Sequence, residues 1–185
     1  NGWQVIQDNN TGKSLGTQLE FRPNKTMLFN WDTYIGDERS SANPGFRTRY
    51  FSDVYWIYNS GKRWMATSCF YAGVQERDGT SSATWWQVNF IGRYAFTESI
   101  SLSARIEHFS DPSGVIISPI TGVSGFKTTS YGLCANFQLH KQALFRLEAR
   151  HQDVQDREED DDTHDPGDER AHPRDALDQP GLASL

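Results

Sequence analysis

The chain has 185 residues, a formal net charge of −6 and a hydrophobic content of 36%. It contains no run of about 18 apolar residues, so the sequence predicts no transmembrane helix. Membrane-spanning strands remain possible, because they alternate apolar and polar side chains. Its basic residues are interleaved with acidic ones, and this argues against a nucleic-acid-binding protein.

The first residues, Asn1-Gly2-Trp3-Gln4-Val5-Ile6, begin in the middle of an alternating pattern. Neither an initiating Met nor a signal peptide precedes them. We therefore expect residues 1 to 7 to be the end of a strand, with upstream strands and an export signal outside this sequence.

Residues 14 to 151 divide into eight segments in which every second residue is apolar or aromatic and the residues between them are polar or charged. We call these two alternating sets of positions the apolar parity and the polar parity. Successive side chains of a strand point to opposite faces of a sheet, so each segment has one apolar and one polar face. In the first segment the apolar positions are Leu15, Leu19 and Phe21. The later apolar positions are Met27, Phe29, Trp31, Ile35, Tyr50, Val54, Trp56, Tyr58, Phe70, Ala72, Val74, Trp86, Val88, Phe90, Tyr94, Phe96, Ile100, Leu102, Ala104, Ile106, Tyr131, Leu133, Ala135, Phe137, Leu139, Phe145, Leu147 and Ala149.

The connections between these segments alternate in length. Short polar breaks at residues 23–24, 59–61, 97–99 and 140–142 alternate with longer stretches at 8–13, 36–45, 77–82 and 111–124. Outer-membrane barrels have short periplasmic turns, longer external loops and strands of roughly 9 to 11 residues. The pattern predicts an all-β fold, an antiparallel up-and-down transmembrane β-barrel, of which this chain carries about eight strands plus an N-terminal strand stub.

Aromatic residues of the apolar parity cluster near the ends of the segments, where amphipathic rings favour the boundary between membrane and water. The alternative fold is a soluble β-sandwich or barrel that binds a ligand or a partner, in which the apolar parity forms a protein core. In that case we expect Trp86, Phe90 and Leu133 to lie beneath a second protein layer.

Arginine identifies the parity that faces the lumen, because one Arg on the lipid face at mid-bilayer costs roughly 2 to 4 kcal/mol. The predicted pore-lining residues share the polar parity and are Glu20, Arg22, Asp32, Arg47, Arg49, Asp53, Arg93, Arg105, Glu107, Arg146, Glu148 and Arg150. Two interpretations of these acidic and basic side chains are open. They line a selective channel, or they pair in salt bridges that only stabilise the barrel wall.

The longest connection, residues 111 to 124, has an apolar centre. It suits a constriction folded into the pore, a contact with other loops or a contact with a partner subunit.

Cys69 and Cys134 share the polar parity on strands three apart, too distant for a disulfide, and are predicted to be free thiols. His108 and His151 fall on the apolar parity. No phosphate loop, zinc spacing or nucleophile elbow occurs, so we expect no enzyme and no cofactor.

Residues 152 to 185 differ from the rest of the chain. They hold 12 of the 24 acidic and 3 of the 18 basic residues, which gives this segment a charge of −9 and the remainder +3. Without aromatic residues they are predicted to form a disordered acidic tail, so that the chain divides into a barrel segment, 1–151, and a tail, 152–185. The carboxylates at 160–162 match no calcium loop, and we expect no metal there.

Four stretches also resemble the OmpL-like β-barrel porins of Gram-negative bacteria. They are residues 1–4, 29–38, 49–56 and 102–111, which occur in order at strand-like spacing, and the resemblance spans about residues 1 to 151. The resemblance implies a location in the outer membrane and a channel for passive diffusion of small solutes. Its expected partners are membrane lipid and the solutes, and a homo-oligomer is possible. A structural or adhesion barrel without transport is the alternative.

One departure from that family concerns the end of the chain. Such barrels finish with a strand that ends in an aromatic residue, whereas this chain ends in Gly181-Leu182-Ala183-Ser184-Leu185. Two interpretations of the acidic tail follow, a native tail and a frameshifted end. The sequence of the source gene would distinguish them.

Overall fold

The structure is a computed structural model and describes Trp3 and residues 10–117 and 125–155. In these ranges the chain forms eight β-strands, whose bounds are β1 Ser14–Asn24, β2 Met27–Asp37, β3 Phe46–Asn59, β4 Trp64–Arg77, β5 Ala83–Ala95, β6 Ile100–Asp111, β7 Phe126–His140 and β8 Ala143–Gln155. No helix in the described ranges is long and apolar enough to cross a bilayer.

All eight strands belong to one antiparallel sheet in sequential order, β1 to β8, which confirms the up-and-down topology. Within the described residues β1 and β8 pair only with β2 and β7, so the sheet is open and corresponds to a partial barrel. β8 continues to Gln155, past the predicted boundary at residue 151. The predicted stub, apart from Trp3, and residues 156–185 of the predicted tail lie outside the described residues.

The strands are 11 to 15 residues long, enough for tilted strands to cross the hydrocarbon core of a membrane. Short turns follow β1, β3, β5 and β7, while longer connections follow β2, β4 and β6, as the sequence predicts. The turn after β3 contains Gly61 with a φ of +70°, a conformation that glycine adopts without steric cost. Its N–H donates to the Asn59 side chain at 2.9 Å.

The register brings the predicted apolar positions together on one face. Phe29 lies opposite Phe21 and Trp56. This face is open, since 45% of the surface of Phe90 and 56% of that of Leu133 are exposed. Within the described residues the sheet is a single layer with nothing packed on this face, unlike the sheets of a sandwich, and an apolar face of this extent is typical of a surface that contacts lipid or another protein.

Buried side chains concentrate on the opposite face, near the end of the sheet where the long connections lie. Ala83, Trp85 and Phe109 are the buried apolar residues there, and they pack among buried polar groups that include Gln75 and Asp111. Interior side chains are therefore most closely packed at this end of the sheet, while most interior positions farther along the strands are only partly buried.

Candidate pore-lining face

The interior face carries a three-residue charge cluster on β6 and β8. Arg105 and Glu107 form an ion pair along β6, and a guanidinium nitrogen of Arg150 lies 3.7 Å from the other carboxylate oxygen of Glu107. Only 13% of the Glu107 side chain is exposed, against 40% for Arg105 and 49% for Arg150. The carboxylate is thus shielded between two arginines whose side chains extend toward open space.

A small recess lies beside this cluster. Its volume is about 140 Å³, and its walls include Arg105, Arg150 and Glu148. Gly132 occupies the register position between the two arginines, so no side chain separates them there. Three of the predicted pore-lining charges therefore surround one recess.

Two further predicted arginines bond to neutral interior side chains. Arg93 donates from Nε to Ser101 Oγ at 3.1 Å, and Arg146 donates from Nε to Asn136 Oδ1 at 2.7 Å. These bonds run between neighbouring strands, because each partner lies on the strand next to that of its arginine. They hold the guanidinium groups close to the wall.

Three acidic residues lie on the interior of β1 to β3. Glu20 pairs with Arg22 along β1 at 2.7 Å. Asp32 and Asp53 lie directly opposite each other in the register, an arrangement in which like charges repel. Asn30 donates to Asp32 Oδ2 at 2.5 Å, whereas the buried Oδ1 of Asp53 has no hydrogen-bond partner within the described residues.

The two remaining predicted residues lie at the long-connection end. A register shift between Phe46 and Arg49 interrupts the alternation, and Arg47 forms an ion pair with Asp78 in the connection after β4. Arg49 is buried with 6% of its surface exposed, and its Nε donates to Gln75 Oε1 at 2.8 Å. The structure therefore separates these two arginines from the charge cluster on β6 and β8.

The long connection after β6 is held to the interior by Asp111. This carboxylate, which is fully buried, accepts hydrogen bonds from the backbone N–H groups of Val115, Ile116 and Ile117 at 2.9, 2.7 and 3.0 Å. Ile116 lines an interior cavity together with residues of the sheet. Residues 115–117 are thus held against the interior face, while residues 118–124 of the predicted constriction lie outside the described residues.

That cavity reveals interior aromatic residues that the sequence pattern did not single out. Trp3 and Phe51 have ring centroids 4.1 Å apart, and Phe51 lies 5.5 Å from Tyr71. The pairs of consecutive aromatics at 50–51 and 70–71 are the signal that could have found Phe51 and Tyr71, because two adjacent strand residues place one ring on each face.

Histidine, cysteine and acidic side chains lie scattered over the two faces of the sheet. Among the described residues, no group of three or more His, Cys, Asp or Glu side chains could hold a metal ion. Cys69 and Cys134 are free thiols, as predicted. His108 lies opposite Val88 and Thr129 on the apolar parity, also as predicted.

Comparison with known proteins identifies a family for this chain. The family model described as "Putative beta-barrel porin-2, OmpL-like" matches residues 1–178. It extends past residue 151, so the expectation that the resemblance stops there is wrong. No curated protein and no solved structure matches the chain at a significant level.

Proposed function

Since the chain belongs to the putative beta-barrel porin-2 family, which is OmpL-like, we propose that it forms a channel wall through which small solutes cross the outer membrane by passive diffusion. The family is of porin type and implies a bacterial outer-membrane location. Porin-like barrels are generally not enzymes, and on this proposal the protein has no catalytic residue and no cofactor.

One observation carries the proposal: the pairing of the eight strands places most large apolar side chains on one face of the sheet and the predicted pore-lining charges on the other. Lipid then contacts the exposed apolar face, and water contacts the face with Arg105, Glu107 and Arg150. Charged side chains in a water-filled barrel set its ion preference. Small solutes and membrane lipid are the partners on this proposal, and homo-oligomers stay a prediction.

A structural or adhesion barrel without transport is the second candidate. It is favoured by the packing at the long-connection end, where Trp85 is 2% exposed, Asp111 is fully buried and Ile116 folds inward. Such packing narrows the passage at that end of the barrel.

Conductance of the full-length protein in a planar lipid bilayer tests the proposal. We expect discrete conductance steps, together with swelling of liposomes in solutions of small sugars or salts. A protein that inserts and shows heat-modifiable migration on a gel, but conducts no ions and admits no solutes, would support the second candidate instead.

A further inference from the structure

The interior cavity has the size and the walls of a ligand site. Its volume is about 510 Å³, inside the range of roughly 300 to 1,000 Å³ that is typical of small-molecule pockets. It is lined by Trp3, Asp32, Thr33, Tyr34, Phe51, Asp53, Cys69, Tyr71, Trp85 and Ile116.

Five of these side chains are aromatic. The ring of Trp3 lies 5.1 Å from Tyr34 and 4.1 Å from Phe51, so the rings form a continuous wall. The face of an aromatic ring attracts a cation that approaches within about 6 Å of its centroid. Trp85 already makes this kind of contact, since the guanidinium of Arg49 lies 5.2 Å from its ring.

The charge of the cavity wall has one sign. Asp32 and Asp53 are acidic, and no basic side chain is among the lining residues. One carboxylate oxygen of Asp53 is buried without a hydrogen-bond partner in the described part of the chain. A cation placed beside the two facing carboxylates would offset their repulsion.

We infer that this cavity is a binding site for organic ammonium cations, with the aromatic rings around the alkyl groups and the two aspartates beside the positive charge. The inference rests on the proposed channel and gives it a solute class. A bare metal ion fits less well, because most of the wall is aromatic and hard cations prefer oxygen ligands.

The cavity is held in place without a ligand. The backbone N–H of Trp3 donates to Glu38 Oε1 at 2.8 Å, which fixes one aromatic wall. Ile116 is held by its N–H bond to Asp111 at 2.7 Å. A preformed site loses little conformational entropy when a ligand binds, which favours affinity.

Choline and its neutral isostere 3,3-dimethylbutan-1-ol form a matched pair of probes. The full-length protein in detergent micelles is titrated with each, and binding is followed by isothermal titration calorimetry and by tryptophan fluorescence. We expect saturable binding of choline and weaker binding of the alcohol by at least about fivefold, the loss that corresponds to one cation–π contact.

Two variants test the walls separately. Asp53→Asn removes a charge and Tyr71→Leu removes a ring, and each is expected to weaken choline binding by roughly five- to thirtyfold. Asp153→Asn is the control, because this exposed carboxylate lies on β8 outside the cavity, and it should leave binding unchanged. Heat-modifiable migration on a gel confirms that each variant is folded.

Equal affinity for choline and the alcohol would overturn the inference, as would unchanged choline binding in folded Asp53→Asn and Tyr71→Leu. Calcium that binds while choline does not would also overturn it. Conductance is measured on the same preparations. A protein that conducts ions but does not bind choline would support the proposed channel and overturn this site. A protein that binds choline but conducts no ions would support the site and overturn the proposed channel.

Discussion

The indole ring of Trp85 lies against Gly73, its register partner on the neighbouring strand. A Cβ atom at position 73 would overlap the carbons of this ring. Trp85 is also the ring over which the Arg49 guanidinium lies, so the absence of a side chain at position 73 allows the interior packing at the long-connection end.

We expect Gly73→Val to displace Trp85 and to lower the free energy of unfolding by about 1 to 3 kcal/mol, the usual cost of overpacking. Guanidinium unfolding in lipid vesicles, followed by tryptophan fluorescence, measures the change. Gly16→Val is the control, because a Cβ there would meet its nearest atom, the Thr33 carbonyl oxygen, at an ordinary 3.5 Å. Equal effects of the two variants would contradict this role of Gly73.

Removal of the Asp111 carboxylate should release the connection after β6. Asp111→Ala leaves three backbone N–H groups without their acceptor, and we expect a loss of stability of about 2 to 3 kcal/mol and faster proteolysis within residues 112–117. Asp153→Ala is the control, since this carboxylate is exposed and bonds to the similarly exposed His151 side chain, at 2.9 Å. A loop that is cleaved no faster in Asp111→Ala would show that it is held by other contacts.

A charge on either face of β5 should distinguish lipid from water. Phe90→Arg places a guanidinium on the exposed apolar face, and we expect it to lower stability by about 2 to 4 kcal/mol in phospholipid vesicles. Asn89→Arg is the control on the adjacent interior position, opposite Cys69 and Glu107, where the cost should stay within about 1 kcal/mol. Comparable losses in unfolding experiments would contradict the assignment of the two faces.

Neutralisation of Glu107 should favour anions in the pore. Glu107→Gln leaves Arg105 and Arg150 without the carboxylate that they share, so the reversal potential in a salt gradient should shift toward anion selectivity. We also expect a stability loss of about 1 kcal/mol, a small value because both arginines are well exposed. Asp153→Asn, on the outer face, should leave the potential unchanged. An unshifted potential in Glu107→Gln would mean that the cluster only braces the wall.

Thiol labelling should report the wet face directly. Cys134 lies on the interior face of β7, and we expect a charged, membrane-impermeant thiol reagent to label it in vesicles. A cysteine introduced by Leu133→Cys in a Cys69→Ser, Cys134→Ser background faces lipid and should react at least about tenfold more slowly, because apolar surroundings suppress the thiolate. Mass spectrometry of the labelled protein measures both rates. The reverse order would invert the two faces.

The sequence was sufficient for the strands, their order and their two faces. Alternation is a local property with a period of two residues, so Phe90 and Asn89 could be assigned to opposite faces without knowledge of any neighbour. The turn at Gly61 and the pairing of consecutive strands are equally local.

The arrangement within the interior could not be read in this way. Three interior contacts depend on the register between strands and on the shift between Phe46 and Arg49. They are the burial of Arg49 on Trp85, the pairing of Glu107 with both Arg105 and Arg150, and the position of Asp53 opposite Asp32. Parity alone treats all of these as equivalent lining residues.

The alternation of side chains, repeated strand after strand, was thus enough to predict one antiparallel sheet with an apolar face and a polar face. The folded chain was needed to see which interior groups meet, how Asp111 holds the connection after β6 and how aromatic side chains line a cavity. Contacts between strands join residues that are far apart in the chain, and a pattern of neighbouring residues does not encode those distances.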